Sequence, residues 1–151
     1  EGVWCYPRAE DNEEQVVMNM INAMLFRIQL SGQIESLNEK SIKIIKDGLK
    51  VYHSLNEFKK SAVPYLPFGM SKFFDKTVAF GLIKDDKLVL CVYNLGGERH
   101  KVIPILDFKP IKVKVIYPLD CKDEVSIKDN DLIIHFNKDE SARVIELKLE
   151  N

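Results

Sequence analysis

Two observations predict an α+β chain in which a helix–strand–helix segment precedes an antiparallel β-sandwich. Up to about residue 60, apolar residues recur at intervals of three and four around one short apolar stretch, and after about Thr77 the period becomes two. The second half then offers seven short strands separated by turn residues, which is the spacing of a sandwich. The boundaries that follow are residues 1–60 for the front segment, 61–76 for a connector and 77–151 for the sandwich.

The first helix is expected to begin near Asp11, where Asp11 and Glu14 fit a capping pair, and to bury Val16, Val17, Met20, Ile21, Met24 and Leu25. It runs into residues 25–30, a mostly apolar stretch that reads as a buried strand halted by Ser31 and Gly32. A second helix starts at Ser36 or Asn38, carries Ile42, Ile45, Leu49 and Tyr52 on one stripe, and reaches about Phe58. Its Lys40, Lys43, Lys46 and Lys50 then face water. Beyond it, Pro64, Pro67 and Gly69 forbid a continuing helix while the apolar side chains among them require burial, so this stretch reads as a packed connector.

Strands follow at about 78–82, 88–93, 101–105, 111–117, 124–128, 132–136 and 143–149. The unbroken apolar run at 88–93 implies a strand covered on both faces. Apolar and charged residues alternate at 111–115 and 145–149, which leaves those strands one wet face. Leu90, Val92, Val113, Ile134 and Leu147 should share the sandwich core. The front sixty residues are the odd part, because one buried strand between two helices lacks the neighbours a parallel sheet needs. They read as a piece of a larger fold, which alone should pack its helices on the chain's own sandwich or pair with a second copy.

Composition excludes several functions. Lys and Arg number 22 against 23 for Asp and Glu, so the chain lacks the field that a nucleic acid or an anionic membrane surface would require. No apolar run approaches the length of a membrane span. Cys5, Cys91 and Cys121 are odd in number, match no zinc spacing, and suit a reducing, cytoplasmic setting.

Several stretches, taken in order, carry a family likeness. Val3-Trp4-Cys5-Tyr6-Pro7, then Met20-Ile21-Asn22-Ala23-Met24-Leu25, then Arg27-Ile28-Gln29-Leu30-Ser31-Gly32 resemble the closing barrel segment of melibiase-type α-galactosidases, glycoside hydrolase family 36. Gly48-x-x-Val51-Tyr52, Ala62-Val63-Pro64-x-x-Pro67-x-Gly69, Ile116-Tyr117-Pro118 and Ser141-Ala142-Arg143-Val144 follow in the family's order. Phe26 stands where the family usually has glycine, and Gln29 where it usually has histidine. The resemblance implies that residues 1–60 end a (β/α)8 barrel and that a C-terminal antiparallel β-sandwich follows. It also implies a parent enzyme that hydrolyses α-glycosides with retention, its two catalytic aspartates lying on earlier barrel strands, before Glu1. The chain is then expected to be a non-catalytic portion that stabilises barrel and assembly. Its partners would be the rest of the hydrolase, α-linked sugars through that parent, and a second copy in a homo-oligomer. The other reading is a stand-alone carbohydrate-binding or interaction module, for which Tyr93 and Tyr117 are the main exposed-ring candidates in the sandwich.

No catalytic residue is assigned within the chain. Retaining hydrolysis needs two carboxyl groups about 5–5.5 Å apart with one held neutral, whereas Asp11, Asp85, Asp86 and Asp139 sit in solvated helix starts and turns. The substrate-binding candidates, which the resemblance places near the barrel mouth, are Trp4, Tyr6, Ser31 and Gly32. The two rings either stack on a sugar or are ordinary core and interface aromatics. Ser31 and Gly32 are either a functional strand end or a tight turn. His53, His100 and His135 are far apart in sequence and read as ordinary surface or half-buried residues, with no metal and no Cys–His pair. Met18, Met20 and Met24 read as core filler, and Gly96-Gly97 as a turn with no phosphate-binding role. No cofactor is expected.

Overall fold

The computed structural model describes residues 2–150. In chain order the elements are β1 (Gly2–Cys5), α1 (Glu13–Met24), β2 (Arg27–Leu30), a single 3-10 turn (Ile34–Ser36), α2 (Glu39–Ser54) and a short α3 (Asn56–Lys59). The strands β3 (Val63–Tyr65), β4 (Thr77–Lys84), β5 (Lys87–Asn94), β6 (His100–Pro104), β7 (Pro110–Tyr117), β8 (Glu124–Lys128), β9 (Asp131–His135) and β10 (Ser141–Leu149) follow.

Local chemistry explains the helix limits. A capping box opens α1, with the Asn12 side chain accepting from the Gln15 N–H at 3.0 Å and the Gln15 side chain accepting from the Asn12 N–H at 2.8 Å. The box therefore lies one residue later than the expected Asp11–Glu14 pair. Asp11 instead accepts from the Arg8 N–H at 2.8 Å and closes the preceding turn. Asn38 caps α2 by accepting from the Ser41 N–H at 2.9 Å. On α2, Asp47 is buried and neutralised by Lys43 at 2.9 Å and Lys50 at 3.0 Å, so two of the four lysines have partners on the helix itself.

The stretch expected as a buried strand from residue 25 is shorter and less covered. Leu25 is the C-cap of α1, Phe26 and Arg27 are exposed, and Ile28 to Leu30 are half-buried. Its one partner among the described residues is β1, which the sequence pattern does not announce. The two run parallel, with Gly2 opposite Arg27 and Cys5 opposite Leu30. Every other strand pairing among the described residues is antiparallel.

A five-stranded sheet, in the order β3-β4-β5-β10-β7, stacks on a three-stranded sheet in the order β6-β9-β8. Leu88, Leu90, Val92, Ile103, Leu132, Ile134, Phe136, Ile145 and Leu147 fill the space between them. On the other face of the large sheet, Val89, Cys91, Tyr93, Ala142 and Val144 meet Val16, Val17, Met20, Ile21 and Met24 of α1 and Ile45 and Val51 of α2. The molecule is thus layered as helices, large sheet and small sheet. Strand β5 lies at the centre with both faces covered, as its apolar run requires. The front helices pack on the chain's own sandwich through one continuous core.

The connector is packed over only part of its length. Its first half becomes β3, an added edge strand on β4, with Tyr65 donating from its hydroxyl to the Leu106 carbonyl at 3.1 Å. Pro67 is buried. Val63, Leu66 and Phe68, expected to be buried, are exposed, and Met70, Phe73 and Phe74 beyond them are almost fully so, because β3 is an edge strand and the chain then leaves the sheet. Among the described residues no helix is long and apolar enough to cross a membrane.

The expected sandwich core is observed for Leu90, Val92, Ile134 and Leu147, which are fully buried, while Val113 is half-buried on the outer strand β7. Replacing any of the four by Ala should cost about 2–5 kcal/mol in urea unfolding, the range for leaving a cavity in a packed core. Val113→Ala should cost clearly less.

Candidate functional site

The sequence-chosen residues gather where β1 and β2 end. In a parallel α/β unit the C-terminal strand ends and the loops after them form the functional face. Cys5 points into the core, and its thiol donates to the Asn19 carbonyl at 3.1 Å. Strand alternation therefore turns its neighbours outward, and Trp4 is 66% and Tyr6 51% exposed. The Ser31 N–H donates to the Cys5 carbonyl at 3.0 Å, which carries the parallel ladder one step past β2. Gly32 follows at φ +103°, and a Cβ there would stand 3.4 Å from two carbons of the Tyr6 ring. The ring thus lies against the glycine backbone, and the Tyr6 N–H is fixed by the Asn19 side chain at 3.1 Å.

Tyr6, Ser31 and Gly32 are consequently one cluster, while Trp4 sits a step back on β1, opposite Gln29. The ring borders a shallow cavity of about 410 Å³, whose wall includes Arg8, Asp11, Gln15, Asn19 and Asn22. An exposed aromatic ring beside amides and a guanidinium can stack on an apolar sugar face and bond its hydroxyls. It has no acid/base pair. Asp11 is engaged by the Arg8 backbone, and among the described residues no three metal-ligating side chains converge. Burial pushes the Cys5 thiol up to about 11, the Cys91 thiol higher still and the Cys121 thiol upward as well, so none is held as a thiolate.

Sequence reasoning missed a buried charge cluster. Arg143 on β10 donates from Nε to Asp123 Oδ2, and from Nη1 and Nη2 to the two Glu14 oxygens at 2.7 and 3.2 Å. The side chains of Arg143 and Asp123 are only 4% and 1% exposed. Asp123 also accepts from the Asn137 N–H at 2.8 Å. The cluster lines a polar cleft of about 1070 Å³, with Lys43, Asp120 and Asp139 among its other walls. With Nη1 also donating to the Ala142 carbonyl at 2.6 Å, four of the five guanidinium N–H groups are engaged and the charge is balanced by two carboxylates, so Arg143 ties α1 to the sandwich. The signal in the sequence was an arginine between Ala142 and Val144 in a predicted strand, which once buried must find carboxylates. Tyr93 and Tyr117 are buried as well, so neither forms the exposed sheet-face platform that a sandwich binding module would use.

No family model matches the sequence, and no curated protein matches it. Solved structures do. The galactosidase domain of an alpha-galactosidase–sucrose kinase aligns with 99% of this chain and 22% of its own, at a TM-score of 0.68 and 12% identity. A GH36 alpha-galactosidase from Geobacillus stearothermophilus in complex with raffinose aligns over 99% of this chain and 22% of its own, with a TM-score of 0.62 and 12% identity. An Anoxybacillus alpha-amylase aligns over 91% of this chain and 33% of its own, at 0.62 and 11%. The chain therefore spans 22–33% of the length of these enzymes, and what it shares with that part of the GH36 alpha-galactosidases is the fold.

Proposed function

We propose that this chain is the carboxy-terminal, non-catalytic portion of an α-galactosidase-like glycoside hydrolase, in which it stabilises the catalytic barrel and its assembly. Residues 1–60 complete the barrel, 61–76 connect, and 77–151 form the sandwich that backs it. One observation carries the reading: β1 and β2 are parallel and joined by α1, whereas the other pairings among the described residues are antiparallel. Parallel strands joined by a helix are the repeating unit of a (β/α)8 barrel. Support comes from the alignment of 99% of this chain to enzymes of which it spans 22%. Exposed Trp4 and Tyr6, which alternate outward about Cys5, are the kind of surface that further barrel strands cover. In the whole enzyme, Trp4, Tyr6, Ser31 and Gly32 contribute a sugar subsite at the barrel mouth. The three free cysteines fit a reducing, cytoplasmic enzyme.

The coding sequence upstream of Glu1 tests the proposal directly, and a barrel bearing two aspartates at strand ends is expected there. A start codon immediately ahead of Glu1 would overturn it. The chain alone should show no turnover of nitrophenyl α-galactoside; turnover that survives purification and is abolished by mutating one of its own carboxylates would also overturn it. The exposure of Trp4 favours a second reading, a module that binds sugar unaided. Trp4 is the single tryptophan, so its fluorescence reports on that surface. Saturable quenching by raffinose in the isolated chain would favour the module.

A further inference from the structure

The helix layer stops short of one side of the large sheet. Helix α2 lies on β7, where the Tyr117 hydroxyl reaches the Ile44 carbonyl, and α1 lies on β10 and β5, whose Ala142, Val144, Cys91 and Tyr93 meet its apolar side. Neighbouring helices pack about 8–10 Å apart and neighbouring strands about 4.8 Å apart, so one helix covers about two strands. Strand β4, with the short edge strand β3 beyond it, is left with the width of one more helix. Ala79 and Ile83 of β4 turn into the sandwich, while Val78 and Phe80 turn to the helix side and stay half-buried.

An apolar hollow of about 550 Å³ occupies this place, lined by Val3 of β1, Met18 of α1, Phe26, Val78, Phe80 and Leu95. The Phe80 ring stands 5.9 Å, centroid to centroid, from both Phe26 and Tyr93. Tyr93 belongs to the same wall, and its buried hydroxyl has no hydrogen-bond partner among the described residues. The hollow continues an interface that already exists, since Val3, Met18, Val78 and Phe80 all pack against the core that joins α1 to the large sheet.

Topology says what fits there. Among the described residues β1 pairs only with β2, so its other edge is open. A parallel strand added at that edge would lead into β1 through a right-handed crossover, which puts the connecting helix beside α1 and on the same side of the strands. The helices over the parallel strands then run in the order of this added helix, α1 and α2. Over the large sheet α2 takes β7 and α1 takes β10 and β5, so the added helix falls on β4 and into the hollow.

We propose that the hollow is the docking surface for the crossover helix immediately ahead of β1 in the whole hydrolase. This rests on the reading of the chain as the end of a barrel, and it makes the sandwich a brace for three successive barrel helices instead of two. The helix that fits is amphipathic, with an apolar stripe at intervals of three and four on Val78 and Phe80 and one polar side chain within it for the Tyr93 hydroxyl.

The test is site-specific photo-crosslinking in the whole protein, expressed from its coding sequence extended upstream of Glu1, with p-benzoylphenylalanine placed at Leu95 or at Met18. Circular dichroism and a thermal midpoint equal to those of the unsubstituted protein show that a variant is folded. Leu95 is 40% exposed and accommodates the larger ring, so it decides the test where the Met18 variant unfolds. Both positions should crosslink, by mass spectrometry, to the segment of about 20 residues ahead of β1, the length of one helix with its loops, at sites three, four or seven residues apart. The same group at Val102, exposed on the outer face of the small sheet, should not reach that segment. Crosslinks from Leu95 to a second copy or to a more distant part of the chain, or none from a folded variant, overturn the docking surface. The terminal-fragment reading survives that result where the upstream sequence encodes a barrel with two aspartates at strand ends. A start codon immediately ahead of Glu1 overturns both.

Discussion

Arg143→Ala is expected to lower the unfolding free energy by about 3–5 kcal/mol, measured by urea denaturation near neutral pH. The size follows from what the substitution strands. Asp123 is 1% exposed in its side chain and, once the guanidinium is gone, keeps the Asn137 N–H as its donor. A carboxylate taken from water and left without its counter-charge carries most of the penalty, more than the lost Glu14 contacts, since Glu14 remains partly open to solvent. The cluster joins α1 to the sandwich, so the loss should fall on the packing of the front segment. Hydrogen exchange should show α1 opening first. The double variant R143M/D123L should recover much of the stability, because an apolar pair of similar volume leaves only the partly solvated Glu14 without its partner and no fully buried charge. A loss below about 1 kcal/mol in R143A would mean that the site behaves as a solvated surface pair.

Tyr117→Ala is expected to cost about 3–5 kcal/mol, and Tyr117→Phe only about 1 kcal/mol, in the same assay. Tyr117 ends β7, is fully buried, and donates from its hydroxyl to the Ile44 carbonyl of α2 at 3.0 Å. A Cβ on Gly48 would stand 3.1 Å from that hydroxyl and 3.2 Å from the ring, so α2 approaches the sheet closely because position 48 has no side chain. Removing the ring opens a cavity between helix and sheet, whereas removing only the hydroxyl loses one hydrogen bond. Equal costs for the two variants would locate the stabilisation in the hydrogen bond and contradict the packing account. Met20 closes the same space, its terminal carbon 3.0 Å from the position a Gly48 Cβ would take. Met20→Ala should therefore compound with Tyr117→Ala non-additively.

The regular elements were legible where local periodicity is strong. The strand expected at 124–128 matches β8, the run at 88–93 lies in doubly covered β5, and Asn38 caps α2 as one of two candidates. Legibility failed where the deciding contact is remote or the segment short. Strand β1 has four residues and no pattern of its own, and it exists because β2 offers a parallel partner. The loop bearing Met70, Phe73 and Phe74 looked like a packed connector because its side chains are apolar, yet only its first half has a sheet edge to lie on. Tyr117 looked available as an exposed ring because strand alternation by itself does not say that α2 covers that end of β7, whereas the burial of Tyr93 follows from the apolar run of β5.

The candidate site divides along the same line. Trp4, Tyr6, Ser31 and Gly32 could be chosen from an ordered set of short motifs, since each motif is contiguous and the alternation about Cys5 follows from strand geometry. That Tyr6 rests on Gly32 while Trp4 stands apart depends on the register between β1 and β2, which no local pattern encodes. Arg143 meets Glu14 from 129 positions away, and the hollow joins Val3, Met18 and Phe80 from three separate elements. Periodicity and turn chemistry act over a few residues, so they settle which segments are helix or strand and which side chains are apolar. Charge compensation and side-chain convergence act through space across separate elements, so only the folded arrangement of helices on the large sheet, and of that sheet on the small one, decided them.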